Sequence, residues 1–145
     1  MLLSKEVIIK LHLTGYTIKR YIAIMLRQHE IPLTPEQFML IDLLWNQGPM
    51  TQQQLVNQLQ KDKNSVTMLV DAIEKKGLVV RQQNANDRRS NTIVLTDKAL
   101  DIKADAKQKG ISILDNILEG ISEDELHSFL QTLRKINNNI ETETK

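Results

Sequence analysis

Apolar residues recur at three- and four-residue spacings along most of this chain, with one short interval of a different character. Between residues 4 and 29, Val7, Ile8, Leu11, Ile18, Tyr21, Ile22, Met25 and Leu26 mark one face of a long helix. The run 31-IPL-33 breaks the pattern, and 34-TPEQ-37 restarts it. There Thr34 is a helix cap, Pro35 suits the first helical position, and Gln37 closes a capping box. The helix so opened carries Phe38, Leu40, Ile41, Leu44 and Trp45 and stops at Gly48-Pro49. A second box, 51-TQQQ-54, opens a short helix with Leu55, Val56 and Leu59 inward; the polar pair Gln60-Lys61 ends it. Asp62 caps a third segment, 63–76, in which Val66, Leu69, Val70 and Ile73 form one apolar stripe, and Gly77 closes it in a left-handed conformation.

The period then changes. Two β-branched runs, Leu78-Val79-Val80 and Ile93-Val94-Leu95, flank a polar stretch, and they predict strands over 78–82 and 91–95. The segment between them is too long for a two-residue turn, so its tip is expected to project. Helical spacing resumes at Thr96 and runs to about Glu119, with Gly110 inside it as a bend or close contact. After Gly120, 122-SEDE-125 starts a last helix striped by Leu126, Phe129, Leu130, Leu133, Ile136 and Ile140. The expected fold is mainly α with a small β-hairpin wing: a winged helix-turn-helix lobe over 33–95, within a single domain whose long terminal helices, 1–32 and 96–145, serve dimerisation. Those terminal helices carry more apolar positions than one small lobe can cover, and burial against a second copy removes the surplus patch. Packing of the same helices onto their own lobe is the alternative.

Composition narrows the chemistry. At 145 residues, with 41% hydrophobic and 26% charged side chains, the chain has the make-up of a globular domain. The absence of cysteine excludes disulfides, thiolate metal sites and thiol redox chemistry. No apolar run approaches the roughly 20 residues of a membrane span, and the start MLLSKEVIIKL does not read as a signal peptide, so a cytoplasmic location without membrane contact is expected. No Ser/His/Asp order, paired-carboxylate pattern or glycine-rich phosphate loop points to an enzyme or a bound cofactor. His12, His29 and His127 lie far apart, and the Glu123/His127 pair at i, i+4 reads as a solvated helical pair, so no metal site is expected.

Net charge is only +1, but residues 55–95 carry seven basic and four acidic groups, net +3, while residues 96–145 carry seven basic and ten acidic, net −3. Positive potential is therefore concentrated around the helix-turn-helix and the hairpin. A helix about 10–12 Å across fits the ~12 Å major groove of duplex DNA and reads bases from its N-terminal residues. The outer face of 63–76 offers Lys63, Asn64, Ser65, Thr67 and Met68 there, types suited to base edges, phosphates and a thymine methyl. Gln52 and Gln53, at the start of the preceding helix, are candidates for the phosphate backbone. At the hairpin tip, Asp87 stands two residues before Arg89, spaced to hold its guanidinium in a forked geometry aimed at a narrow minor groove. An exposed ion pair that merely keeps the loop soluble is the alternative. A winged helix used only for protein–protein contact is the competing functional class, and aromatics at 3% argue against single-strand stacking.

The run 62-DKNSVTMLVDAIEKKGLVVRQQNANDRRSNTIVLTDKA-99 closely resembles the recognition helix and wing of the MarR family of bacterial transcription regulators. The match lies in the V-T-x-L-V-D-x-I-E-x-K-G-L-V-x-R core, the D-R-R wing and the L-T that opens the next helix. The resemblance implies a homodimer with interlocked terminal helices, a palindromic DNA operator, Arg89 in the minor groove and Arg88 at phosphate; of repressor and activator, a repressor is the expected role. It also implies a small aromatic or anionic effector held between the dimer helices and the lobe, for which Tyr16, Tyr21, Phe38 and Trp45 are candidates if they are not simply core. Two departures stand out. Ala99 replaces a usual glycine, and the lack of cysteine closes the oxidation-sensing mode of some members.

Overall fold

The computed structural model describes the backbone of residues 2–84 and 86–144, and their side chains except at 84 and 87–89. Seven helices and three strands follow one another among these residues. They are α1 (Leu2–Gln28), α2 (Pro35–Gln47), β1 (Met50–Thr51), α3 (Gln52–Leu59), α4 (Lys63–Lys75), β2 (Val79–Asn84), β3 (Asp87–Leu95), α5 (Asp97–Asp101), α6 (Lys103–Ile117) and α7 (Glu123–Glu143). Contacts divide the chain into one unit ending at Ile113 and another beginning at Leu114.

Helix starts lie where local hydrogen bonding places them. Thr34, Thr51 and Ser122 each accept the backbone N–H three residues on, and the Gln or Glu at that position reaches back to the cap's own N–H. Two orphan donors are satisfied at each start, with no help from elsewhere in the fold. At the other end of α4, Gly77 has φ +76°, a conformation that costs any residue with a Cβ. The left-handed turn between α3 and α4 falls on Gln60, at φ 52°.

The first unit is built around Leu26, Leu40, Ile41, Leu44, Leu55, Val66, Val70, Ile73 and Ile93, all essentially inaccessible. Trp45 is buried against them; its indole N–H donates to the Ala99 carbonyl at 3.1 Å, and its ring meets Phe38 edge to face at 5.9 Å. Ala99 itself is buried, the position at which the family resemblance leads one to expect glycine. Gly110 of α6 is a close contact: a Cβ there would stand 2.9 Å from the Phe38 ring.

Three features depart from the sequence expectation. First, Met50 and Thr51 form a strand that pairs with Ile93 and Thr92, so the hairpin becomes a three-stranded sheet ordered β1-β3-β2. Second, β2 and β3 run far beyond their apolar cores. Gln83 pairs with Asn91 and Asn84 with Asp87, so only positions 85 and 86 separate the strands. Strand pairing uses backbone groups, which polar residues supply as well as apolar ones. The register is irregular at the tip: Gln83 faces Asn91 and Asn84 faces Asp87, leaving 88, 89 and 90 between them on β3. Third, the helix after Thr96 is interrupted at Ile102, giving α5 and α6.

Candidate nucleic-acid interface

The core sets the orientation of α4. Val66, Val70 and Ile73 are fully buried, and the opposite arc carries Lys63, Asn64, Met68, Asp71 and Lys75 in the open, with Ser65 and Thr67 half-buried beside it. Met68 is 71% exposed, a long apolar side chain without a core function in this protomer. The five residues expected on a reading face therefore all lie at the N-terminal half of one accessible helix, as their spacing required.

Asp62 begins that helix. Its carboxylate accepts the Ser65 N–H at 2.6 Å, and this hydrogen bond, with a further contribution from the Ser65 side chain, holds the carboxyl below its ordinary value of 3.8. A carboxyl whose pKa is depressed in the fold stabilises it above the unfolded pKa and loses that effect as the pH falls through the folded one. The thermal midpoint of wild type is thus expected to exceed that of Asp62→Asn at pH 7. The gap should close as the pH falls below the ordinary carboxyl value of 3.8 and through the lowered folded one. Melting curves across that range check this, and a constant gap would show that the charge at the cap is immaterial.

A groove of about 270 Å³ lies where the starts of α3 and α4 meet the wing, lined by Gln52, Gln53, Val56, Lys63, Ser90 and Asn91. Its polar lining, the amides of Gln52, Gln53 and Asn91, the Lys63 ammonium and the Ser90 hydroxyl, is a set of donors suited to a phosphate oxygen. Gln52 also reaches α4: its Nε2 donates to Thr67 Oγ1 at 2.5 Å, and Thr67 donates in turn to the Lys63 carbonyl at 2.9 Å.

The wing is tied to the helix by Arg81, which in the sequence is one of seven basic charges and the last residue of the core that begins V-T-x-L-V-D, with no contact assigned to it. From β2, its Nη1 donates to Glu74 at 2.7 Å and its Nη2 to Asp71 at 2.5 Å. Asp71 stands on the accessible arc of α4, where an unpaired carboxylate would repel phosphate; the guanidinium cancels that charge and fixes the strand to the helix. Two acids three residues apart on one helix, followed by an arginine beyond the Gly77 turn, were the available signal. The C-terminus of α4 is held by lysines. Lys76 Nζ donates to the Pro32 carbonyl and Gln37 Oε1, both at 2.7 Å, and Lys98 Nζ donates to the Lys76 carbonyl at 2.7 Å. Thr96 Oγ1 adds a bond to the Gly77 carbonyl at 2.6 Å. Cations at this helix end also suit its dipole.

Of the aromatic candidates for an effector pocket, Phe38 and Trp45 come together, whereas Tyr16 is exposed on α1 beside His12, ring centroids 5.1 Å apart, and Tyr21 is half-buried. The backbone at Arg88 and Arg89 belongs to β3, but the side chains of Asp87, Arg88 and Arg89, and with them the expected fork, lie outside the described residues. Among the described residues no group of three or more His, Asp or Glu side chains could hold a metal, and no helix is long and apolar enough to cross a membrane.

A capped, accessible helix flanked by a donor-lined groove and a clamped β-wing defines a winged helix-turn-helix protein. Residues 33–91 match the model of the MarR family, whose members are transcriptional regulators. The chain is 26% identical over 108 residues to the HTH-type transcriptional regulator MhqR of Bacillus subtilis (strain 168), covering 74% of each chain. Among solved structures it resembles the organohalide-sensing RdhR-CbdbA1625 transcriptional regulator in its 2,4-dichlorophenol-bound form. The TM-score is 0.82, with 22% identity over 94% of this chain and 80% of that one. It also resembles reduced AbfR bound to DNA, with a TM-score of 0.75 and 19% identity over 97% of this chain and 96% of that one. At those identities both structures speak for the fold. MarR regulators bind DNA as dimers, and some bind small molecules.

Proposed function

We propose that this protein is a homodimeric, sequence-specific repressor. Each 33–95 lobe lays α4 into the major groove of one half of a palindromic operator, and Arg89 enters the adjoining minor groove. The observation that carries this reading is the arc of α4. Asn64 and Met68 stand in the open, the helix is anchored at both ends, and the groove beside it assembles polar donors from three elements. The fold shared with a regulator bound to DNA supports the reading. The fold shared with a regulator holding 2,4-dichlorophenol supports a small aromatic or anionic effector that favours a lobe spacing unsuited to DNA.

The test is a duplex selected from a random pool and titrated by fluorescence anisotropy at rising salt. Neutralising six to ten phosphates should weaken binding roughly 10³- to 10⁵-fold between 50 and 200 mM salt. An affinity indifferent to salt, or no selected duplex at all, would leave a protein-docking module in its place.

A further inference from the structure

We infer that Thr67 is a positioning residue and that Gln52, which it aims, is the side chain that reads a base. This rests on the operator reading above and goes beyond it, because spacing alone assigns the two the opposite roles. The hydroxyl of Thr67 owns one proton, and that proton is committed to the Lys63 carbonyl at 2.9 Å. With that proton on the Lys63 carbonyl, the Thr67 oxygen accepts from Gln52 Nε2, so the amide faces it with its NH2. The network therefore fixes which way the Gln52 amide points. Thr67, half-buried and with both its proton and a lone pair engaged, has little polar capacity left for a base edge; its methyl remains.

Gln52 retains the complementary pair. With one amide hydrogen held by Thr67, its Oε1 and its second N–H stay available at the lip of the groove it shares with Lys63 and Asn91. An acceptor and a donor on one planar amide are what adenine requires at N6 and N7. A glutamine on a free surface surrenders side-chain entropy on binding; this one has surrendered it in the unbound protein. It is the first residue of α3, pinned at its start by the Thr51–Gln54 capping box, so the backbone beneath the amide is fixed as well.

The test uses the full-length dimer and its selected operator, with a panel of duplexes changed one base pair at a time. Wild type, Thr67→Val, Thr67→Ser, Gln52→Ala and the Thr67→Val/Gln52→Ala double variant are compared. Gln52→Ala is expected to lose about 5- to 150-fold of discrimination at one A·T pair per half-site. Thr67→Val should lose discrimination at that same pair, Thr67→Ser should keep it, and the double variant should be no worse than Gln52→Ala. Without DNA, the Gln52 side-chain amide protons should show a hydrogen-bonded NMR shift in wild type and Thr67→Ser that collapses in Thr67→Val. Loss at a different base pair in Thr67→Val, multiplying effects in the double variant, or an unchanged Gln52 amide would overturn the inference while leaving the operator reading intact. A wild type without preference for any duplex would overturn the operator reading itself.

Discussion

Exchanging Phe129 and Ile140 for aspartate should give a folded chain that sediments as a single subunit and binds the operator about 100- to 10,000-fold more weakly. Both residues lie on α7, where they are 54% and 56% exposed, and no residue of that helix is buried. An amphipathic helix of 21 residues with its apolar stripe in the open forfeits the burial that normally stabilises one. On α1 the same holds for Leu2, Leu3, Val7, Ile8 and Leu13. Surfaces of this kind in the described protomer are what a second copy would cover, at about 25 cal/mol per Å² of apolar area removed from water. Carboxylates placed in that contact must be desolvated without partners, so association fails while the protomer, which never packed these side chains, keeps its fold. The loss in DNA binding follows because one lobe then engages one half-site without the effective concentration its twin confers. Sedimentation of the double variant beside wild type, followed by an operator titration, measures both effects. A dimer that survived would place the interface elsewhere.

Arg89→Ala is expected to weaken operator binding by about 1–3 kcal/mol, roughly 5- to 150-fold, with an unchanged melting temperature. The backbone supports this: positions 88–90 occupy the irregular part of β3, at the end of a strand pair clamped to α4 through Arg81. In the proposed complex, the narrow minor groove of A·T-rich sequence concentrates the field that Arg89 meets. The penalty should therefore shrink on duplexes whose flanking A·T pairs are replaced by G·C. In the proposed complex Arg88 meets phosphate, so Arg88→Ala should flatten the salt dependence by about 0.9 per site without regard to sequence. Gel-shift titrations on both flank compositions test the pair; equal penalties for the two arginines on both duplexes would remove the wing from base recognition.

What the sequence by itself determined are the features closed by bonds three or four residues apart. The boxes at Thr34, Thr51 and Ser122 and the cap at Asp62 stand where their letters place them. The stripe of α4 likewise decided which of its faces is buried and hence where Asn64 and Met68 point. Tertiary structure decided what depends on groups distant along the chain. Met50 and Thr51 become a strand only because Ile93 and Thr92 lie alongside, more than forty residues later. The polar residues Gln83 and Asn91 pair because backbone pairing is indifferent to side-chain polarity, so no period in the letters records it. Arg81 between Asp71 and Glu74, and Gln52 against Thr67 fifteen residues on, could be placed only once α3, α4 and β2 had packed. A local hydrogen bond needs only the chain that makes it, whereas a side-chain pair between elements needs the core that brings those elements together.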